Sequence, residues 1–257
     1  MVDSPPVYWR ADQICAHRGA SAHYPENTAI AFDAAAHSGA GWIETDVQLL
    51  SDGELVVFHD ETLGRTAAGS TPIASLSWCD VASLDIGSWK HHRFSSERPM
   101  TCTQLIQWQL GERDRPGIIW EAKCPSDEVA ATATAAALAE RISAYPAHRC
   151  IVSSFDRTFL KTMRALLPEL PLALIAEALP TDGLSFCEQY DITGLHLDGQ
   201  QLDERTAQTV LERHRQLRCY TINTVSLAKK LVAMGVEMVM TDVPDDFAIN
   251  GQRTDSV

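Results

Sequence analysis

The sequence has no apolar run approaching the ~18 residues a membrane-spanning helix needs, and this excludes such a helix by its usual signature. Its seven cysteines, at 15, 79, 102, 124, 150, 187 and 219, form no C-x-x-C pair, and an odd count argues against a disulfide framework. Cys15, Cys124, Cys150 and Cys219 lie within or beside apolar runs and are expected as buried free thiols. Positive charge is scarce. The 21 Lys and Arg face 34 Asp and Glu, a net charge of −13 at pH 7, so the surface repels phosphate backbones and anionic lipid. Nucleic acid is not an expected partner, and neither is stable membrane insertion. No glycine-rich phosphate loop or dinucleotide fingerprint follows any apolar run, which lowers a Rossmann reading. The opening residues MVDSPPVYWRAD lack the basic start and apolar stretch of a secretory leader, and a cytoplasmic location is expected.

What is present is the composition of a folded globular chain: 257 residues, 45% hydrophobic and 21% charged, with a mean hydropathy of −0.11. Short apolar, β-branched runs recur at 14–17, 42–49, 55–59, 117–123, 149–155, 172–177, 194–198, 219–223 and 237–242. Between them, 28–38, 103–112, 127–144, 156–167, 203–215 and 225–234 carry apolar residues at helical spacing. This alternation, with about eight βα units, predicts an α/β fold of the (β/α)8 or TIM-barrel type. Residues 60–100 break the rhythm with turn residues and aromatics, and are expected as a small insertion after the second barrel strand. No linker or repeat appears, so one domain over 1–257 is expected, with a frayed tail at 250–257.

Strand side chains alternate faces, so Glu44 and Asp46 in IETDVQ should point the same way, as should Glu121 and Lys123 in WEAK. An E-x-D pair also suits an exposed sheet edge. Two carboxylates projecting into a barrel would instead repel unless protonated or neutralised, and a divalent cation is the simplest remedy. Carboxylate ligands favour Mg2+ or Ca2+ over zinc. His17 and His59 each close an apolar run, ICAH and LVVFH, and so belong at the barrel mouth, either as hydrogen-bonded structural residues or as a base and an acid. Arg18 and Lys123 supply fixed positive charge for an anion. A metal, two imidazoles and two cations together suit phosphoryl chemistry.

The ordered motifs His17-Arg18-Gly19, PENT at 25–28, Glu44-x-Asp46, DG at 52–53, FHD at 58–60 and Glu121-x-Lys123 resemble the glycerophosphodiester phosphodiesterase family. The likeness extends to LDIGSW at 84–89, SSFD at 153–156 and GVEMVMTDVPD at 235–245, nearly the whole chain. It implies a TIM barrel with Glu44, Asp46 and Glu121 on one divalent cation, His17 and His59 as the acid/base pair, and Arg18 and Lys123 near the phosphate. It implies hydrolysis of a small glycerophosphodiester to glycerol 3-phosphate and an alcohol, through a cyclic phosphate. Secreted relatives often use Ca2+, so without a leader Mg2+ is the preferred expectation. Tyr220 in CYTINT stands where many relatives carry tryptophan, a departure that bears on substrate preference. A phospholipase-like barrel would call for an apolar or basic membrane-contacting surface that the charge does not supply. A barrel that only bound phosphorylated ligands would have no need of the carboxylates.

Overall fold

A computed structural model describes residues 8–124, 127–247 and 249. The expected tail at 250–257 and the first seven residues lie outside that range. Nine strands form one sheet: β1 (Ile14–His17), β2 (Trp42–Leu49), β3 (Leu55–Val57), β4 (Gly117–Ala122), β5 (Cys150–Ser154), β6 (Leu172–Ala176), β7 (Gly194–Asp198), β8 (Gln216–Tyr220) and β9 (Met238–Thr241). Eight of them pair in parallel, and β1 pairs with both β2 and β9, so the ring closes as a TIM barrel. The exception is β3. It runs antiparallel to β2 as a hairpin partner outside the ring, although its sequence reads like a barrel strand.

Helices α1 (Ala29–His37), α2 (Trp78–Val81), α3 (Cys102–Gly111), α4 (Glu128–Ile142), α5 (Arg157–Leu166), α6 (Gly183–Gln189), α7 (Glu204–Glu212) and α8 (Val225–Ala233) complete the units. Thr28, Thr101, Asp127, Asp156 and Asp203 start α1, α3, α4, α5 and α7 by accepting from backbone N–H groups one turn in. Two details differ from the periodicity. The short α6 carries too few apolar repeats to register, and β8 begins three residues earlier than the apolar run at 219 because Gln216 and Arg218 face into the barrel.

The period of two sorts the strands cleanly. Ile14, Ile43, Val47, Ile118, Trp120, Val152, Leu195, Leu217 and Val239 face outward into the main core against the helices. Cys15, Ile119, Ile151, Ala173, Met238 and Met240 pack together inside the ring. Burying an Ile or Leu fully is worth roughly 1.5–3 kcal/mol, so the outer face carries most of the stability. The inner face is left free for polar residues. Beyond β3, residues 58–101 wrap a third apolar cluster, with Phe58, Leu63, Ile73, Val81 and Ile86 over Val56, before an antiparallel bridge from Val56 to Thr101 brings the chain back. All seven cysteines are free, five of them buried. Among the described residues, no helix is long and apolar enough to cross a membrane.

Candidate active site

Strand register brings the acidic residues together. His17 lies opposite Glu44 between β1 and β2, and Asp46 lies opposite Glu121 between β2 and β4. With every second residue pointing inward, Glu44, Asp46 and Glu121 converge at the C-terminal mouth. One oxygen of each lies within 4.8 Å of the others, and all three residues are buried.

Immediately after β1, Arg18 (φ 56°) and Gly19 (φ 82°) turn the chain through the left-handed region. A Cβ on Gly19 would sit 2.7 Å from Ala31 in α1, so only glycine allows the helix to approach this closely. Arg18 is held in its conformation by its own N–H, which donates to the Glu44 backbone carbonyl at 3.0 Å and to Glu44 Oε2 at 3.1 Å. Its guanidinium donates from Nη1 to Glu26 Oε1 at 2.9 Å and places Nε 3.2 Å from Asp46 Oδ2. The neighbouring Asn27 donates from Nδ2 to Asp46 Oδ2 at 2.8 Å while accepting from the Thr45 hydroxyl at 2.9 Å. Lys123 donates to Glu121 and lies 3.3 Å from Asp46 Oδ1.

The two imidazoles are anchored alike. His17 Nδ1 is 2.7 Å from Asp242 Oδ1, just past the end of β9, and His17 Nε2 is 3.9 Å from Glu44 Oε2. His59 Nδ1 is 2.8 Å from Asp60 Oδ1. In each case a carboxylate partner at Nδ1 fixes the tautomer with its proton there, leaving Nε2 able to accept a proton. His59 arrives on the hairpin, not on a barrel strand. Gln48 secures that approach, donating to the backbone carbonyls of Phe58 at 2.9 Å and Asp60 at 2.8 Å. A cavity of about 790 Å3, lined in part by Gln48, His59, Lys123, Ser154 and Phe155, opens beside the cluster. Tyr220 points inward from the end of β8, its buried hydroxyl without a hydrogen-bond partner among the described residues.

The electrostatics are strained. Burial and the charge of Asp46 push Glu44 up to about 8, and the same two causes raise Glu121. Burial also works against ionised Asp46, but Arg18 and Lys123 overcome it and hold that carboxyl at about 2. His17 is raised despite burial, by its bond to Asp242 and the charge of Glu44. His59 acts on Asp46, so the two rings address different carboxylates. Among the described residues, neither Glu44 Oε1 nor Asp46 Oδ1 has a hydrogen-bond donor, although the Lys123 ammonium lies 3.3 Å from Asp46 Oδ1. Three converging carboxylates with buried oxygens lacking donors fit a hard divalent cation.

All seven residues singled out by sequence therefore meet at one mouth, together with several that were not. Asp242, Asp60, Glu26, Asn27 and Gln48 hold the others in place. Asp60, Glu26, Asn27 and Asp242 already stood inside the motifs FHD, PENT and VMTD; only their partners, distant in the chain, were missing.

The model of the glycerophosphoryl diester phosphodiesterase family matches residues 17–246. A glycerophosphodiester phosphodiesterase of Bacillus altitudinis is 28% identical over 237 residues, covering 91% of this chain and 95% of that one. One from Bacillus subtilis is 28% identical over 245 residues, covering 90% and 84%. An Oleispira antarctica phosphodiesterase, solved with the product sn-glycerol-3-phosphate, superposes with a TM-score of 0.85 at 31% identity, covering 91% of this chain and 94% of that one. With a closed barrel, a carboxylate cluster at its mouth and a match over almost its full length, the chain belongs to the glycerophosphoryl diester phosphodiesterase family and is a phosphodiesterase.

Proposed function

We propose that this enzyme hydrolyses small glycerophosphodiesters to glycerol 3-phosphate and an alcohol, using His17 and His59 as the acid/base pair and one divalent cation held by Glu44, Asp46 and Glu121. The observation that carries this is the pairing of a three-carboxylate cluster with two imidazoles, each oriented through Nδ1 by its own carboxylate. Mg2+ is preferred over Ca2+. When bound, such an ion supplies Lewis-acid neutralisation of a phosphodiester oxygen. Arg18 and Lys123 add fixed charge for the same anion, with Arg18 suited to a paired contact.

In the first step one imidazole Nε2 takes the proton of the glycerol 2-hydroxyl as that oxygen bonds to phosphorus. The other imidazole, protonated, gives its proton to the departing alcohol oxygen as the P–O bond breaks. The product is a five-membered cyclic phosphate. In the second step the roles reverse: the now neutral imidazole deprotonates water, and the protonated one returns its proton to the 2-hydroxyl as the ring opens. Over both steps one water is consumed and both histidines are restored. A positioned acid or base contributes about 10²–10⁴-fold.

The deciding experiment measures glycerol 3-phosphate release from a panel of glycerophosphodiesters, with and without EDTA, for wild type, His17→Ala and His59→Ala. Activity abolished by EDTA, restored by Mg2+, and reduced roughly 10²–10⁴-fold in each variant supports the reading. Activity that survives chelation removes the metal from it, and a histidine variant with near-normal turnover loses its assigned role.

A further inference from the structure

Behind the proposed reacting side chains stand two carboxylates outside the metal cluster. Asp60 holds His59, and Glu26 holds Arg18. They come from separate segments: Glu26 from the loop between β1 and α1, Asp60 from the start of the excursion that follows β3. One side chain joins them.

Arg65 donates from Nε to Asp60 Oδ2 at 2.8 Å and from Nη2 to Asp60 Oδ1 at 2.8 Å. Its Nη1 donates to Glu26 Oε2 at 2.6 Å, and Nη2 also donates to Glu26 Oε1 at 2.7 Å. Both carboxylates are thus gripped bidentately by a single guanidinium, a geometry lysine cannot reproduce. The excursion supports it in turn: the Arg65 guanidinium carbon lies 5.7 Å from the Trp89 ring centre, and Trp89 Nε1 donates to the Ile86 carbonyl at 2.8 Å.

As a stability element this network is weak, because the Arg65 side chain is 44% exposed and exposed ion pairs contribute ~0–1 kcal/mol. As a positioning element it is not. Without Arg65, the Asp60 carboxylate is free to rotate and His59 loses its fixed ring orientation. Glu26 is then balanced by Arg18 alone, which draws that guanidinium toward Glu26 and discounts its charge for a phosphate.

We infer that Arg65 is a positioning residue that locks the acid/base histidine of the hairpin and the phosphate-binding arginine of the first loop into one register. The inference rests on the roles proposed above for His59 and Arg18.

Steady-state kinetics with saturating Mg2+ on glycerophosphocholine, paired with thermal unfolding, test it on Arg65→Ala, Arg65→Lys, Asp60→Asn and the double variant Arg65→Ala/Asp60→Asn, with His59→Ala as control. Arg65→Ala should lower kcat about 10–100-fold, the scale of a small misplacement of a reacting group, and raise KM several-fold while the melting temperature stays within about 2 °C. Asp60→Asn should lower kcat with little change in KM. In the double variant the kcat losses should be far from additive, whereas the KM rise from Arg65→Ala should persist. Arg65→Lys should recover only a small part, and guanidinium at low millimolar concentration should restore Arg65→Ala several-fold without affecting His59→Ala. Should Arg65→Ala not fold, Arg65→Lys carries the same prediction. Wild-type constants in the Arg65 variants, additive kcat losses with Asp60→Asn, or an activity loss that follows a loss of melting temperature overturns the inference. A fully active His59→Ala would instead overturn the mechanism beneath it.

Discussion

The barrel buries excess charge at both ends of its interior, with opposite signs and opposite treatment. At the mouth, Glu44, Asp46 and Glu121 outnumber Arg18 and Lys123, and their oxygens lie where a cation can reach them. At the floor, Arg218 on β8 has no carboxylate in contact among the described residues. It donates from Nη2 to Gln216 Oε1 at 2.8 Å, sits 3.4 Å from His196 Nε2, and leaves its own Nε unpartnered. Burial lowers its affinity for its proton, with Glu237 opposing from a distance. The difference teaches what electrostatic misfit is for. The mouth is open to a ligand that would complete it, whereas at the floor the buried Arg218 simply bears its misfit.

The comparison breaks most severely at the carboxylates that orient imidazoles. Asp242→Ala should cut kcat by about 10²–10³-fold, because His17 then loses its tautomer and direction. Its folding should be little affected if the role is catalytic, so turnover and melting temperature must be measured together; equal losses in both would make Asp242 part of the scaffold. Glu44→Gln comes next in size. With its pKa pushed up to about 8 by burial and Asp46, Glu44 must take up a proton to fold at neutral pH without metal; glutamine removes that cost, so in EDTA the variant should melt a few degrees above wild type. The gain expected for wild type from divalent metal, about 2.7 kcal/mol at a hundredfold excess over Kd, should vanish. A Glu44→Gln protein that Mg2+ still stabilises would show that the ion binds elsewhere.

Arg218→Met sharpens the contrast from the other end. Replacing a buried, unpaired charge with an apolar side chain of similar length is often neutral or stabilising by about 1–4 kcal/mol. Urea unfolding should show the variant at least as stable as wild type. A loss of several kcal/mol would mean that the floor arginine, too, is electrostatically completed by something in the folded protein.

The two ends also differ in how much of them can be read in sequence. The mouth is legible because its residues close strands: ICAH, IETDVQ and WEAK announce which side chains face inward, through the period of two alone. What that period cannot show is pairing across the ring. His17 and Asp242 are 225 positions apart, and nothing local reveals that they share a proton. The strand at 55–57 misleads for the same reason, since an apolar Leu-Val-Val triplet reads identically on a barrel strand and on an outrigger. The floor is harder still. Gln216 and Arg218 interrupt the apolar pattern that marks β8, so the strand appears to start late. Arg65 lies in a segment without periodicity, and its four bonds depend on a tertiary meeting of two loops.

The smallest expected effect belongs to His196, the neutral neighbour of Arg218. It is almost fully buried, and burial together with the Arg218 charge holds its pKa well below the ordinary 6.5. The unfolded chain therefore binds a proton there that the folded chain refuses. Below pH 6.5 the unfolded state gains protons and stability falls; above it the two states agree, and the contribution is complete. The slope is about 1.4 kcal/mol per pH unit, so between pH 6.5 and 5.0 His196 alone should remove about 2 kcal/mol. Urea unfolding in EDTA at those two pH values, on wild type and His196→Gln, isolates the effect, because the carboxylates at the mouth contribute equally to both proteins. The variant should lose less stability on acidification by about that amount. If both proteins lose the same, the folded floor admits a proton beside Arg218, and burial there does not keep His196 neutral.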